Sequence, residues 1–148
     1  MSEETEEKAT SQIYSEVLFC EDIDLYLAEN DSHLAFPSLS CLLATFLTEK
    51  NTTKRAVIER AQMNQIYGYH IFSGLKNPSR DKVLQLAFGF QLDVSEAQSL
   101  LKIARQPVLY ARDKRDSVFL FCLAKSLSVI DALELLDQLN LEPLTCEK

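Results

Sequence analysis

Apolar positions along the chain recur three and four residues apart, the spacing of helices that bury one face. Leu39, Leu42, Leu43, Phe46 and Leu47 make such a face, and the pattern predicts a helix from Leu39 to Lys50 with Pro37 just ahead of it. Asn51-Thr52-Thr53 then reads as a loop whose last hydroxyl caps a helix from Lys54, with Val57, Ile58 and Ala61 facing the core. Asn64 can cap another helix only three residues after Ala61, so the turn between the two is Ala61 to Met63. In this second helix Tyr67 and Ile71 stand four apart and pack inward, which leaves Gln65, Ile66, Tyr69 and His70 around the remaining circumference. Gly74 stops the helix, and Asn77-Pro78-Ser79 makes a turn whose serine can cap the next.

On either side the pattern stays helical. Val83, Leu84, Leu86, Ala87 and Phe88 face inward, a break falls at Gln91 to Val94, and a helix is expected from Ser95 to about Arg105, ended by Pro107. Helices follow from Arg112 to Lys125 and from Val129 to Leu139, joined at Ser126 to Ser128. Residues 80–101 align without gaps onto 115–136, with eight identities in 22 positions at an offset of 35. A period of that size is one helical hairpin. It fits a duplication, and it fits chance agreement between leucine-rich helices. The second hairpin is the more apolar, FLFCLA replacing LQLAFG, and is a candidate for self-association as well as for the core. At the other end, Met1 to about Ser11 is acid-rich and expected to be disordered. One amphipathic helix is expected from Gln12 to Asn30, with Ile13, Val17, Cys20, Asp24 and Leu27 on a stripe. It reads first as a core-packing helix, and alternatively as an acidic arm that meets a partner or folds back on the basic motif.

Composition narrows the function classes. With 148 residues, 47% of them hydrophobic, and only three glycines and four prolines, a largely helical core is expected. No apolar run reaches membrane-spanning length, so no membrane partner is expected and the setting is read as cytoplasmic. Cys20, Cys41, Cys122 and Cys146 lack metal-ligand spacing, and His33 and His70 do not supply it; no metal or other cofactor is expected, and the thiols read as reduced, mostly small core fillers. Paired catalytic acids, nucleophile-base motifs and Gly-rich phosphate loops are missing, so the chain is not read as an enzyme. Asp113 to Asp116, with Arg112, Lys114 and Arg115 interleaved, reads as a solvated helix start.

The net charge of -7 is segregated. Residues 1–31 hold ten acids and one lysine, whereas residues 49–82 hold seven bases and three acids. At a Debye length of about 8 Å in physiological salt, a distant acidic tail takes little from the attraction of a local basic patch for phosphates.

The stretch KRAVIERAQMNQIYGYHIFSGLKNPS, and above all Gly74-Leu75-Lys76-Asn77-Pro78-Ser79, resembles the helix-turn-helix of the phage-repressor and Cro type, the XRE family, with its G-x-x-N-P-S junction after the recognition helix. SRDKVLQLAFGFQLDVS resembles the family's fourth helix and the start of its fifth, so the likeness runs from about Leu39 to Ala104. Two positions depart from the pattern: Ile58 stands where a small residue is usual, and Gln62 where the turn glycine is usual. A left-handed backbone at such a residue costs about 1 kcal/mol.

The resemblance implies an all-α protein with a five-helix, lambda-repressor-like DNA-binding bundle over residues 32–105. Residues 1–31 would add an acidic segment with an amphipathic helix, and 106–148 a C-terminal helical hairpin. It implies a transcriptional regulator that places residues 64–73 in the major groove of double-stranded DNA, as a homodimer. Lys54, Gln65, Ile66 and His70 fall at the family's DNA-contacting positions. From their own chemistry, Gln65 suits adenine and Ile66 a thymine methyl, Asn64 and Tyr69 share the exposed helix, and His70 can donate to a phosphate or serve as an ordinary half-buried side chain. Lys54, Arg55, Lys76, Asn77, Ser79 and Arg80 flank the groove as phosphate contacts. The alternative is a protein-interaction or adaptor module, or the antitoxin half of a toxin pair, that binds a protein partner through the acidic N-terminal helix or the C-terminal hairpin.

Overall fold

A computed structural model of the chain describes residues 10–31 and 38–144. The chain divides into two compact units, residues 1–36 and 37–148. Every element among the described residues is helical. The expected disorder of Met1 to Ser11 lies outside the described residues up to position 9, while Ser11 is helical; Pro37, His33 and Cys146 also lie outside them.

In the first unit the single helix expected from Gln12 to Asn30 is two helices, α1 (Thr10–Phe19) and α2 (Ile23–Glu29). The break has a local cause. Asp22 Oδ1 accepts from the Asp24 and Leu25 N–H groups at 3.0 and 3.3 Å, capping α2 at the point where a continuous helix would need those residues in its interior. The Tyr26 hydroxyl donates to the Ile13 carbonyl at 3.1 Å and ties α2 to α1. Among the described residues of this unit only Tyr26 and Asn30 are buried; of the expected stripe Ile13, Val17 and Cys20 are half-buried, whereas Asp24 and Leu27 are exposed, as are Tyr14, Leu18, Phe19, Ile23 and Leu25.

The second unit holds α3 (Leu39–Glu49), α4 (Lys54–Arg60), α5 (Gln65–Phe72), α6 (Arg80–Gly89), α7 (Val94–Ile103), α8 (Lys114–Ala124) and α9 (Val129–Gln138). Its centre is α6, in which every residue from Lys82 to Gly89 is buried. That helix packs on α4, α7 and α9, while α3 packs on α5 and α7. Phe90, at the end of α6, meets Phe46 of α3 and Phe72 of α5 at centroid distances of 5.6 and 6.0 Å. Gly89 is the point of closest approach to α4: a Cβ there would lie 2.5 Å from the Val57 carbonyl oxygen.

Three turns share one construction. After α4, α6 and α8, a residue in the left-handed region (Gln62, Gln91, Ser126) is followed by an apolar residue whose N–H reaches back five positions: Met63 to Ile58, Leu92 to Ala87 and Leu127 to Cys122. A cap then starts the next helix at once. These caps are Asn64, Asp93 and Ser128; Asp93 forms a reciprocal capping box with Glu96, which starts α7 at Val94, one residue before the expected Ser95. Gln62, Gln91 and Ser126 all line one cavity of about 630 Å³.

The 35-residue offset also appears in the polar contacts. Arg80 donates to the Pro107 and Val108 carbonyls and holds Asp116 with two bonds of 2.8 Å. Arg115 donates to the Glu142 and Pro143 carbonyls and holds Asp81 at 3.1 and 3.2 Å. Each arginine thus grips the other's neighbour, a reciprocal clasp between the starts of α6 and α8. The helix start expected at Asp113 to Asp116 is present, with Asp113 as its cap and Arg112, Asp113 and Lys114 exposed, but the solvated reading is corrected for Asp116, which is buried, and for Arg115, which is half-buried. The thiols are corrected too, since of those described only Cys122 is buried, Cys20 being intermediate and Cys41 exposed.

Burial alone would raise the Asp116 carboxyl, but the Arg80 guanidinium and the Tyr110 N–H outweigh it and hold the group below the usual carboxylate range. A depressed folded-state value stabilises the fold above the unfolded value and is lost as pH falls through the folded one. Asp116→Asn is expected to cost about 3 kcal/mol near neutrality, the low end for breaking a buried pair, because the Arg80 side chain keeps 23% exposure. Urea unfolding across pH checks this: the gap between the two proteins should shrink below about pH 4.

Candidate nucleic-acid interface

The α4-turn-α5 segment is built from local signals. The Thr53 hydroxyl accepts from the Ala56 N–H at 3.2 Å and starts α4; Asn64 Oδ1 accepts from the Tyr67 N–H at 3.1 Å and starts α5. Between them Gln62 takes φ 58°, the left-handed conformation a glycine would adopt without strain. Val57, Ile58, Ala61 and Ile71 are buried, and Tyr67 is half-buried with Lys82 Nζ 5.7 Å from its ring centre.

Ile58 is accommodated by a residue on the facing helix. A Cβ at Gly68 would lie 2.7 Å from two carbons of the Ile58 side chain, so the missing volume sits in α5 opposite the bulky residue in α4. Gln85 of α6 adds a polar link, its Nε2 donating to the Ala61 carbonyl at 3.0 Å beside the turn. Neither pairing was expected from the sequence; the glycine in the middle of a short helix was the available signal.

The outward residues of α5 stand together. Gln65 is exposed, Ile66 and Tyr69 are 69% and 41% exposed, and His70 is half-buried in the last turn. Asn64 spends its side-chain oxygen on the cap. The His70 carbonyl accepts from the Leu75 and Lys76 N–H groups at 2.9 and 3.2 Å, which folds the junction back under the end of α5, with Gly74 at φ 83°. Lys76 and Asn77 are exposed there, and Ser79 caps α6 through the Lys82 N–H. The junction is held from behind by Gln106, whose Nε2 donates to the Pro78 carbonyl at 3.2 Å.

The cations divide into two groups. Lys54 is exposed, its Nζ 5.9 Å from the centre of the Phe72 ring; Arg55 pairs with Glu59 at the surface at 3.2 Å; Lys76 is exposed on the junction. Lys50 pairs with Glu96, Arg60 donates to the Gly89 carbonyl and the Thr52 hydroxyl, and Lys82 is buried against Tyr67. Two expected phosphate contacts are engaged within the fold: Ser79 caps α6, and the Arg80 guanidinium is held by Asp116 and two carbonyls, the Asp116 hydrogen bond raising its pKa. No local signal marks this pairing, since the partner lies 36 residues away.

No family model matches the chain, and no match to a curated protein or to a solved structure was found. Among the described residues no group of histidine, cysteine and acidic side chains could hold a metal ion, and no helix is long and apolar enough to cross a membrane.

The Ile58-Gly68 contact sets how closely α4 and α5 approach. Gly68→Ala is expected to destabilise by about 1–3 kcal/mol through overpacking, and Ile58→Ala by about 2–4 kcal/mol through a cavity. The double variant should fall short of their sum by about 1 kcal/mol, because each change relieves the other. Thermal and urea unfolding of the three proteins would read this coupling; simple additivity would show that the two side chains do not share one space.

Proposed function

We propose that α4 to α6 form a helix-turn-helix unit of the lambda-repressor type and that the protein is a sequence-specific DNA-binding transcriptional regulator. The observation that carries this reading is the exposed face of α5, where a glutamine, an isoleucine and a tyrosine stand beside a cap-defined helix start and lysines lie on the elements before and after it. An inserted helix reads base edges with its first turn. Gln65 would pair in bidentate fashion with adenine and Ile66 would meet a thymine methyl, while Lys54, Arg55, Lys76 and Asn77 hold phosphates and the N–H groups at the start of α5 add a further anion contact. Tyr69 and His70 border the groove, and Ser79 and Asn64 act by capping. Arg80 drops out of the contacting set and becomes part of the frame.

A second reading, a protein-interaction module, is favoured by a specific observation: Lys50, Arg60, Arg80 and Lys82, four of the seven bases in residues 49–82, are engaged by groups of the fold itself, Lys50 and Arg60 at its surface.

Selection from a random duplex pool, followed by fluorescence anisotropy on matched and mutated sites, separates the two. Gln65→Ala is expected to lose about 1–3 kcal/mol of discrimination at one base pair. Lys76→Ala should weaken all duplexes alike and lower the salt slope by about one. No enriched sequence, or a Gln65 variant with full discrimination, would overturn the regulator reading.

A further inference from the structure

The face of α8 and α9 turned to solvent carries a groove of about 640 Å³ whose floor includes Val118, Phe121, Leu135 and Leu139, with Arg112 and Lys114 among its lining residues and no acid there. Phe121 and Leu139 are 51% and 56% exposed, and Lys125 Nζ stands 6.0 Å from the centre of the Phe121 ring, adding a third cation. Asp113 accepts from the Asp116 N–H as the cap of α8, and Asp116 holds Arg80, while Glu134, Asp137 and Glu142 are exposed next to the lining residues in sequence but outside the lining itself. An apolar floor with a positive rim fits an acidic amphipathic helix better than a neutral or basic one.

This chain carries such a segment. Residues 10–31 contain six acids and no base, and Tyr14, Leu18, Phe19, Ile23, Leu25 and Leu27 all stand exposed, Phe19 by 85%. Tyr14 and Leu18 are one helical turn apart on α1, the spacing by which a helix anchors in a groove. We infer that the α8–α9 groove of one copy takes the acidic α1–α2 segment of a second copy, and that the reciprocal exchange makes a homodimer. The occupant is chosen by charge: a basic-rimmed groove and an acidic apolar helix in one chain are complementary across two copies, whereas two such grooves facing each other would set Arg112, Lys114 and Lys125 against their own kind. The inference is independent of whether α5 binds DNA.

Sedimentation velocity on the full chain tests it, with Phe121→Glu to block the groove and Phe19→Asp to spoil the segment. Both positions are solvent-facing, and circular dichroism checks that the helices persist. The native chain should associate to a dimer, and each variant should weaken association at least about tenfold, the effect of losing one buried aromatic anchor. Raised salt should weaken the native dimer as well. An equimolar mixture of the two variants should form dimers at a concentration where neither does alone, since one intact groove then meets one intact segment. A native chain that stays monomeric, a dimer indifferent to Phe19→Asp, or variants that fail to complement each other would overturn the assignment.

Discussion

Burying α6 from Lys82 to Gly89 on every side constrains everything else in the second unit. A helix with no solvent-facing stripe needs neighbours all round, and α4, α7 and α9 supply them. Side chains of ordinary size on both partners keep helix axes about 8–10 Å apart. Gly89 lets the Val57 carbonyl come nearer than a Cβ would allow, so the pairing of α4 with α6 depends on a missing side chain. The position of α4, and through its three-residue turn that of α5, therefore follows from how α6 is covered.

The polar contacts finish what the apolar packing begins. Arg80 and Arg115 each join a helix start to the other repeat and to two carbonyls of a loop that has no helix partner of its own. Those four loop residues are exposed, so the bonds position the loops rather than satisfy buried groups. Gln98 does the same for Leu109, accepting from its N–H and donating to its carbonyl at 2.8 and 2.9 Å. Charge that would have formed a basic surface is thereby turned into internal scaffolding, which is why counting bases along residues 49–82 overstates the field that a ligand would meet.

Features set by near neighbours were legible in the sequence, and features set by distant ones were not. Thr53, Asn64 and Ser79 act on residues three ahead, so the starts of α4, α5 and α6 follow from the residues alone. Asp93 and Ser95 are both cap types, and the choice between them rests on Glu96 reaching back to the Asp93 N–H at 3.1 Å. Asp22 was missed because an apolar stripe was read through a residue whose side chain competes with the helix backbone. The exposed set on α5 follows from the inward positions of Tyr67 and Ile71, whereas the loss of Arg80 to Asp116 has no local trace and the fit of Ile58 over Gly68 is marked only by a glycine inside a short helix.

The distribution of charge connects the proposed DNA contact to the proposed pairing of copies. Lys54, Arg55 and Lys76 are the solvent-facing cations bordering α5, and three phosphate contacts correspond to a salt slope near three, the range of weak, non-specific association. Two copies on a two-fold site double that number and add a second set of base contacts, which brings the energetics toward those of specific recognition. Dimer formation through the acidic segment would thus supply the missing contacts, so protein association and DNA affinity would rise together with concentration.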